Sequence, residues 1–323
     1  VAPALPPGGP NGPGAKLVAA LAGMGSLALG FGLVLGLEFI DGRIKSREQI
    51  AGLGLPVLAV FPRLAEPALA GATAGSPPGR GSEARAELMF AEALRRLLSA
   101  TVLARGRKAI RSLAVASGGR GEGKSTIARA VATLAARSGI ATVLVEGDLR
   151  RAGAFGARLS DDDPGLGDYL EGRVGLRDML IVDVASGLHV APTTRPVQHS
   201  TELLASKRME ALLAELGETF AFVVVDTAPA ALTADLDVVA PQVDGVVLTV
   251  ACGVSTRRVA EIAVDTVDRV GGELIGVAAT RANAALFQDV YGYDDCVYPA
   301  EARRRGWLRL PRRAKRRPRA AEG

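Results

Sequence analysis

Ala114–Thr126 reads AVASGGRGEGKST, and this stretch decides the fold. An apolar run, 110–115, enters a glycine-rich bend and a helix-forming segment, 125–136, leaves it. That strand, loop and helix context turns G-x-x-x-x-G-K-[ST] from a pattern into a phosphate site. Gly118, Gly119, Gly121 and Gly123 let the backbone turn and bring its N–H groups to anionic oxygens. Arg120, Glu122 and Thr126 complete the loop, Lys124 reaches the outer phosphates, and Ser125 offers a hydroxyl to Mg²⁺. The stretch predicts binding of a nucleoside triphosphate, ATP with Mg²⁺.

On either side of this loop, apolar strand-like runs at 110–115, 141–146, 188–191, 221–225, 245–250 and 274–279 alternate with helical runs at 125–137, 201–216, 232–240 and 255–270. Unbroken aliphatic strands between helices predict an α/β fold, a doubly wound and mostly parallel sheet covered on both faces. Two strand ends carry carboxylates where such a sheet places its ligand. VLVEGDLRR supplies Glu146 and Asp148, and FVVVDTAPA supplies Asp226. Beside a phosphate loop, three acids offer metal ligation and a group able to accept a proton from an attacking hydroxyl. Singly, each could instead be a helix cap or a solvated turn residue.

Ahead of the sheet, Leu17 to Leu37 is a run of 21 uncharged residues. As a helix it would reach about 31 Å, one hydrocarbon thickness. The domain reading is therefore a Pro/Gly-rich stretch on the outer side at 1–14, a transmembrane helix at 15–40, a juxtamembrane linker at 41–82, a P-loop ATP-binding domain at 83–290 and a tyrosine-containing basic tail at 291–323. A signal peptide and a buried soluble helix are the rival readings of the apolar run. Arg43, Lys45 and Arg47 follow the span and only Lys16 precedes it, which places the C-terminal side in the cytoplasm. The linker contains a short helical piece at 46–53, the strand-like LPVLAVFP and the loop-forming GATAGSPPGRGS; an amphipathic helix runs from Glu83 to Leu103.

The formal charge of +5 is concentrated in the tail, where residues 300–323 hold ten Lys/Arg against two acids. Two cysteines without C-x-x-C spacing and two histidines argue against a zinc site and for a reducing compartment. Tyr291, Tyr293 and Tyr298 cluster in YGYDDCVY as candidate phosphoacceptors, and phosphate added there would repel acidic neighbours. Packing of these rings against the last strand is the alternative. RRRGWLRLPRRAKRRPR then favours anionic inner-leaflet lipid, with nucleic acid the less favoured partner and a merely solvated end the third reading.

Taken together, GEGKST, VLVEGDLRR and VVVDTAP resemble the Walker A, A′ and B motifs of the bacterial tyrosine kinases of the polysaccharide co-polymerase type. IKSREQIAGLGLPVLAVFP, GLGDYLEGRVGLRDML and ELLASKRM extend the resemblance to about Tyr293. It implies a membrane autokinase that forms homo-oligomers and acts with exopolysaccharide or capsule polymerisation and export machinery. In such proteins a periplasmic chain-length domain and a first transmembrane helix precede the part that corresponds to this sequence. The resemblance thereby implies a bacterial inner membrane, and makes the stretch at 1–14 periplasmic and the domain at 83–290 kinase-like. The resemblance makes Lys124 and Ser125 phosphate and Mg²⁺ ligands, Asp148 and Asp226 the metal-side acids, and Glu146 the acid near the acceptor hydroxyl. Three positions depart from the pattern: Glu146 stands for an aspartate, Leu98 for the last arginine of E-x-x-R-x-x-R after Glu92 and Arg95, and Thr280-Arg281 where relatives often carry an asparagine by the adenine. An ATP-bound scaffold with little or no kinase activity is the alternative function. A partition-type ATPase would carry a lysine where this loop has Gly119.

Overall fold

The computed structural model describes residues 14–40, 42–65, 82–102 and 110–283. The three tyrosines at 291, 293 and 298 and the basic tail lie outside these residues.

An eight-stranded sheet forms the centre: β1 (Val57–Pro62), β2 (Ser112–Ser117), β3 (Thr142–Glu146), β4 (Ile181–Asp183), β5 (Leu188–Ala191), β6 (Phe222–Asp226), β7 (Gly245–Ala251) and β8 (Leu274–Ala282), in the order β1-β8-β7-β2-β6-β3-β5-β4. Neighbours are parallel except β4, which closes one edge antiparallel to β5. The six expected strands are all present. β2 sits where the winding reverses, with β6 and β3 on one side and β7 and β8 on the other, so the crevice beyond its C-terminal end is the ligand position of an open α/β sheet.

The helices explain why the strands are aliphatic throughout. On one face α3 (Ser82–Thr101) and α4 (Lys124–Arg137) bury Leu97, Ile127 and Val131 against Leu113, Leu144, Phe222 and Val224. On the other, α7 (Ser200–Leu204), α8 (Lys207–Thr219) and α9 (Asp235–Val239) cover Val143, Val145, Val223 and Val225. Phe222 and Val224 thus face one layer while Val223 and Val225 face the other, as strand periodicity requires. The remaining helices are α1 (Ala15–Ile40), α2 (Arg47–Ala51), α5 (Leu166–Leu170), α6 (Leu176–Met179) and α10 (Arg257–Arg269).

Three details differ from the sequence reading. The stretch read as linker supplies part of the folded unit: Ser46 and Gln49 form a capping box on α2, Ile44 and Ile50 are buried, and β1 pairs with β8. The helical run 201–216 is split, because Ser206 caps a new helix by accepting from the Met209 amide. The run 232–240 begins its helix only at Asp235 and ends in a 3-10 turn, Ala240–Gln242, containing Pro241.

α1 contains the expected apolar run, and Lys16–Leu33 has a mean hydropathy of 1.6 with its side chains exposed. By length and composition it can cross a membrane.

Candidate active site

β2 delivers the chain into the glycine-rich loop. Gly121 and Gly123 hold φ of 72° and 92°, in the left-handed region that glycine adopts without a steric penalty. Gly123 is the N-cap of α4 and brings no side chain to the helix end, so the first amides of a 14-residue helix face the cleft without a capping oxygen. That is the local basis of an anion site. The loop is held from beneath: Glu122 Oε2 accepts from the Gly119 amide at 3.0 Å, and Thr280 Oγ1 donates to the Glu122 carbonyl at 2.8 Å.

Lys124 is only 5% exposed. Its ammonium donates to Ser125 Oγ at 3.1 Å, Asp226 Oδ1 at 3.3 Å and Asp148 Oδ2 at 3.5 Å. Arg151 binds Asp148 at 2.9 Å and Ser125 Oγ at 3.2 Å. Burial pushes the Asp226 carboxyl above the ordinary aspartate value, while Lys124 and Ser125 oppose that shift. One hydroxyl and two carboxylates, all hard oxygen donors, therefore stand together at a helix N-terminus. This set fits Mg²⁺, which is held by one or two carboxylates with waters and phosphate oxygens completing its shell.

Glu146 makes a different set of contacts from Asp148 and Asp226. Register pairs it with Asp226, yet its carboxylate turns away and accepts from the amides of Phe155 at 2.8 Å, Gly156 at 3.1 Å and Thr193 at 3.2 Å. Burial raises its pKa and these three donors lower it, with burial prevailing. The longer side chain reaches across to the loop beyond β3, so the expected third acid pins that loop.

The cleft encloses about 1080 Å³ and is lined by residues 119–127, Asp148, Arg150 and Arg151, with Thr280 and Arg281 on one side. Gly118 is packed beneath the loop, outside the lining. Phe61, Pro62, Arg63 and Leu64, from the end of β1, form a wall that the linker reading missed; the aliphatic LPVLAVFP was its signal. Arg150 is tied to the fully buried Asp235 through 3.0 and 3.3 Å contacts, fixing the loop after β3 to α9. Leu98 lies in the core beneath α3, whereas Glu92 and Arg95 pair at 3.0 Å on its exposed face.

No protein-family model matches the chain. Tyrosine-protein kinase CpsD of Streptococcus agalactiae is 27% identical over 175 residues, 54% of this chain and 76% of that protein. The succinoglycan biosynthesis transport protein ExoP of Rhizobium meliloti is 30% identical over 176 residues, 54% of this chain and 22% of ExoP. The kinase domain of the Escherichia coli tyrosine kinase ETK superposes with a TM-score of 0.63 at 21% identity, covering 74% of this chain and 95% of that domain. In sequence and in fold, the chain is similar to bacterial tyrosine kinases.

Proposed function

We propose that this relative of the bacterial tyrosine kinases is a membrane-anchored, ATP-dependent protein-tyrosine autokinase that regulates exopolysaccharide or capsule polymerisation and export. The observation that carries the reading is the Lys124 ammonium within 3.5 Å of both Asp148 and Asp226 at the bare N-terminus of α4. The names of CpsD and ETK support the kinase, and that of ExoP supports the polysaccharide context.

In this reading the amides of residues 118–126 and Lys124 hold the phosphates of ATP, and Ser125, Asp148 and Asp226 hold Mg²⁺. Bound there, the metal would neutralise charge on the transferring phosphoryl group. Lys124 leaves its acids for the phosphates when nucleotide enters. With Glu146 turned away, Asp148 is the carboxylate on the cleft wall placed to take the proton of a tyrosine hydroxyl. Tyr291, Tyr293 and Tyr298 are the proposed acceptors, supplied by a neighbouring copy in a homo-oligomer. α1 is the proposed anchor, and the basic tail lies against anionic lipid.

The ATP-bound scaffold with little kinase activity is the second reading, favoured by the capture of Glu146 and the burial of Leu98. The full chain in detergent micelles, given Mg·ATP and mapped for phosphotyrosine by mass spectrometry, separates the two. The autokinase gives phosphate on the tail tyrosines that is lost in Lys124→Met; nucleotide binding with unmodified tyrosines supports the scaffold.

A further inference from the structure

Near its end β8 departs from regular strand geometry, where its pairing with β1 shifts register. Arg281 has a φ of 53°, one of two non-glycine residues with positive φ among the described residues. The left-handed region costs an L residue roughly 1–2 kcal/mol. Such strain persists only where surrounding contacts over-determine it, and it gathers at ligand clamps.

Those contacts are visible on both sides. Thr280 Oγ1 donates to the Glu122 carbonyl of the phosphate loop at 2.8 Å, and the Thr280 carbonyl accepts from the Cys252 amide at 2.9 Å. This end of β8 is therefore locked to the loop and to the turn after β7 together. Its consequence is positional: Arg281 Nη2 lies 3.9 Å from the point where a Cβ on Gly121 would stand, which carries the guanidinium over the phosphate loop.

Charge completes the argument. Arg150 and Arg151, which share this cleft, are paired with Asp235 and Asp148. Among the described residues Arg281 has no carboxylate partner, and it stands over a loop whose helix-end amides already create positive potential. Arg281 is exposed, so water solvates it in the free chain, and an anion entering the cleft meets it beside those amides. Lys124 lines the same cleft, engaged with its two acids.

We infer that Arg281 is a second cationic contact to the phosphate chain of a nucleoside di- or triphosphate, acting together with Lys124. The inference rests on the nucleotide-binding reading of the cleft and adds a ligand to it. Arg281 is thereby a phosphate-binding residue at the place where relatives often carry an asparagine by the adenine, and the base contacts stay unassigned.

Equilibrium titration of the full chain in detergent micelles with N-methylanthraniloyl-ADP and -ATP, with Mg²⁺ present, tests it. Arg281→Gln weakens both nucleotides about tenfold, the scale of one charged hydrogen bond, while Arg281→Lys stays within about threefold of the unmodified chain. Arg281→Gly removes the charge and the backbone strain together. It loses the same affinity while the nucleotide-free melting temperature stays level or rises. Wild-type affinity in Arg281→Gly overturns the assignment, even if Arg281→Gln is impaired. Failure of the unmodified chain to bind either nucleotide overturns the reading of the cleft itself, a distinct result.

Discussion

Ser255 donates its hydroxyl to Glu122 Oε1 at 2.6 Å, joining the turn after β7 to the phosphate loop. Both side chains are buried, and the other Glu122 oxygen holds the Gly119 amide. Ser255 Oγ also accepts from the Ala251 amide at 2.8 Å, and its carbonyl accepts from the Ile44 amide at 2.8 Å. The loop's shape is thus set by a buried acid within the loop itself.

Ser255→Ala leaves one oxygen of a buried carboxylate and one buried amide without their partner. The expected loss of stability is about 1–3 kcal/mol. Since the loop is no longer pre-shaped, nucleotide affinity falls several-fold as well. Glu122→Gln keeps an acceptor and retains more affinity than Glu122→Ala. Thermal unfolding with and without Mg·ATP separates the two effects; equal ligand-induced shifts in Ser255→Ala and the unmodified chain would refute the loop's dependence on this bond.

Glu146→Asp should destabilise the chain, although aspartate is the residue expected from the resemblance. The shorter side chain cannot reach the amides of Phe155, Gly156 and Thr193 together. Unsatisfied buried donors cost about 1–3 kcal/mol. Hydrogen exchange at residues 153–156 should quicken in the same variant. Unchanged exchange there would show that the carboxylate is not what pins the loop.

How far these features were legible differs by the range of the interaction. The phosphate loop, the acids at 148 and 226 and six strands follow from local pattern, because glycine spacing and aliphatic runs constrain the chain over a few residues. β1 was legible as a strand-like run but not as a member of the sheet. LPVLAVFP has a strand's composition, but its pairing with β8 joins residues more than two hundred positions apart and no local signal encodes it. The contacts of Glu146 were not legible for a related reason: sequence places an acid at a strand end, whereas the direction of its side chain depends on the distant Thr193 and on a loop with no period. α5 and α6 have five and four residues, too few turns for helical periodicity to show.

Asp168 yields a pH prediction. Burial alone would raise its pKa; the Gly165 amide, Arg173 and Arg195 outweigh that and hold the carboxyl below its ordinary value. A depressed folded pKa contributes stability above the unfolded value, about 4, and that contribution fades as pH falls through the folded pKa. Asp168→Asn should therefore cost about 1–2 kcal/mol at pH 7, the half-exposed guanidinium groups being screened. The gap in melting temperature between variant and parent narrows below pH 4. A gap of constant size down to pH 2.5 would contradict the charge-based account.

Gly118 gives the sharpest steric prediction. A Cβ built on it would lie 2.2 Å from the Val259 carbonyl oxygen and 2.7 Å from Val259 Cγ1, inside the first turn of α10. Backbone atoms of a helix cannot yield as a flexible side chain does. Gly118→Ala must therefore lift the phosphate loop or displace α10, at about 1–3 kcal/mol for a forced fit in a packed site. Ile262, exposed on the same helix, provides the control: Ile262→Ala changes α10 without touching the loop and should cost well under 1 kcal/mol. Nucleotide affinity falls in Gly118→Ala and stays level in Ile262→Ala. If Gly118→Ala binds and melts like the parent chain, the close approach of loop and helix is not what shapes this site.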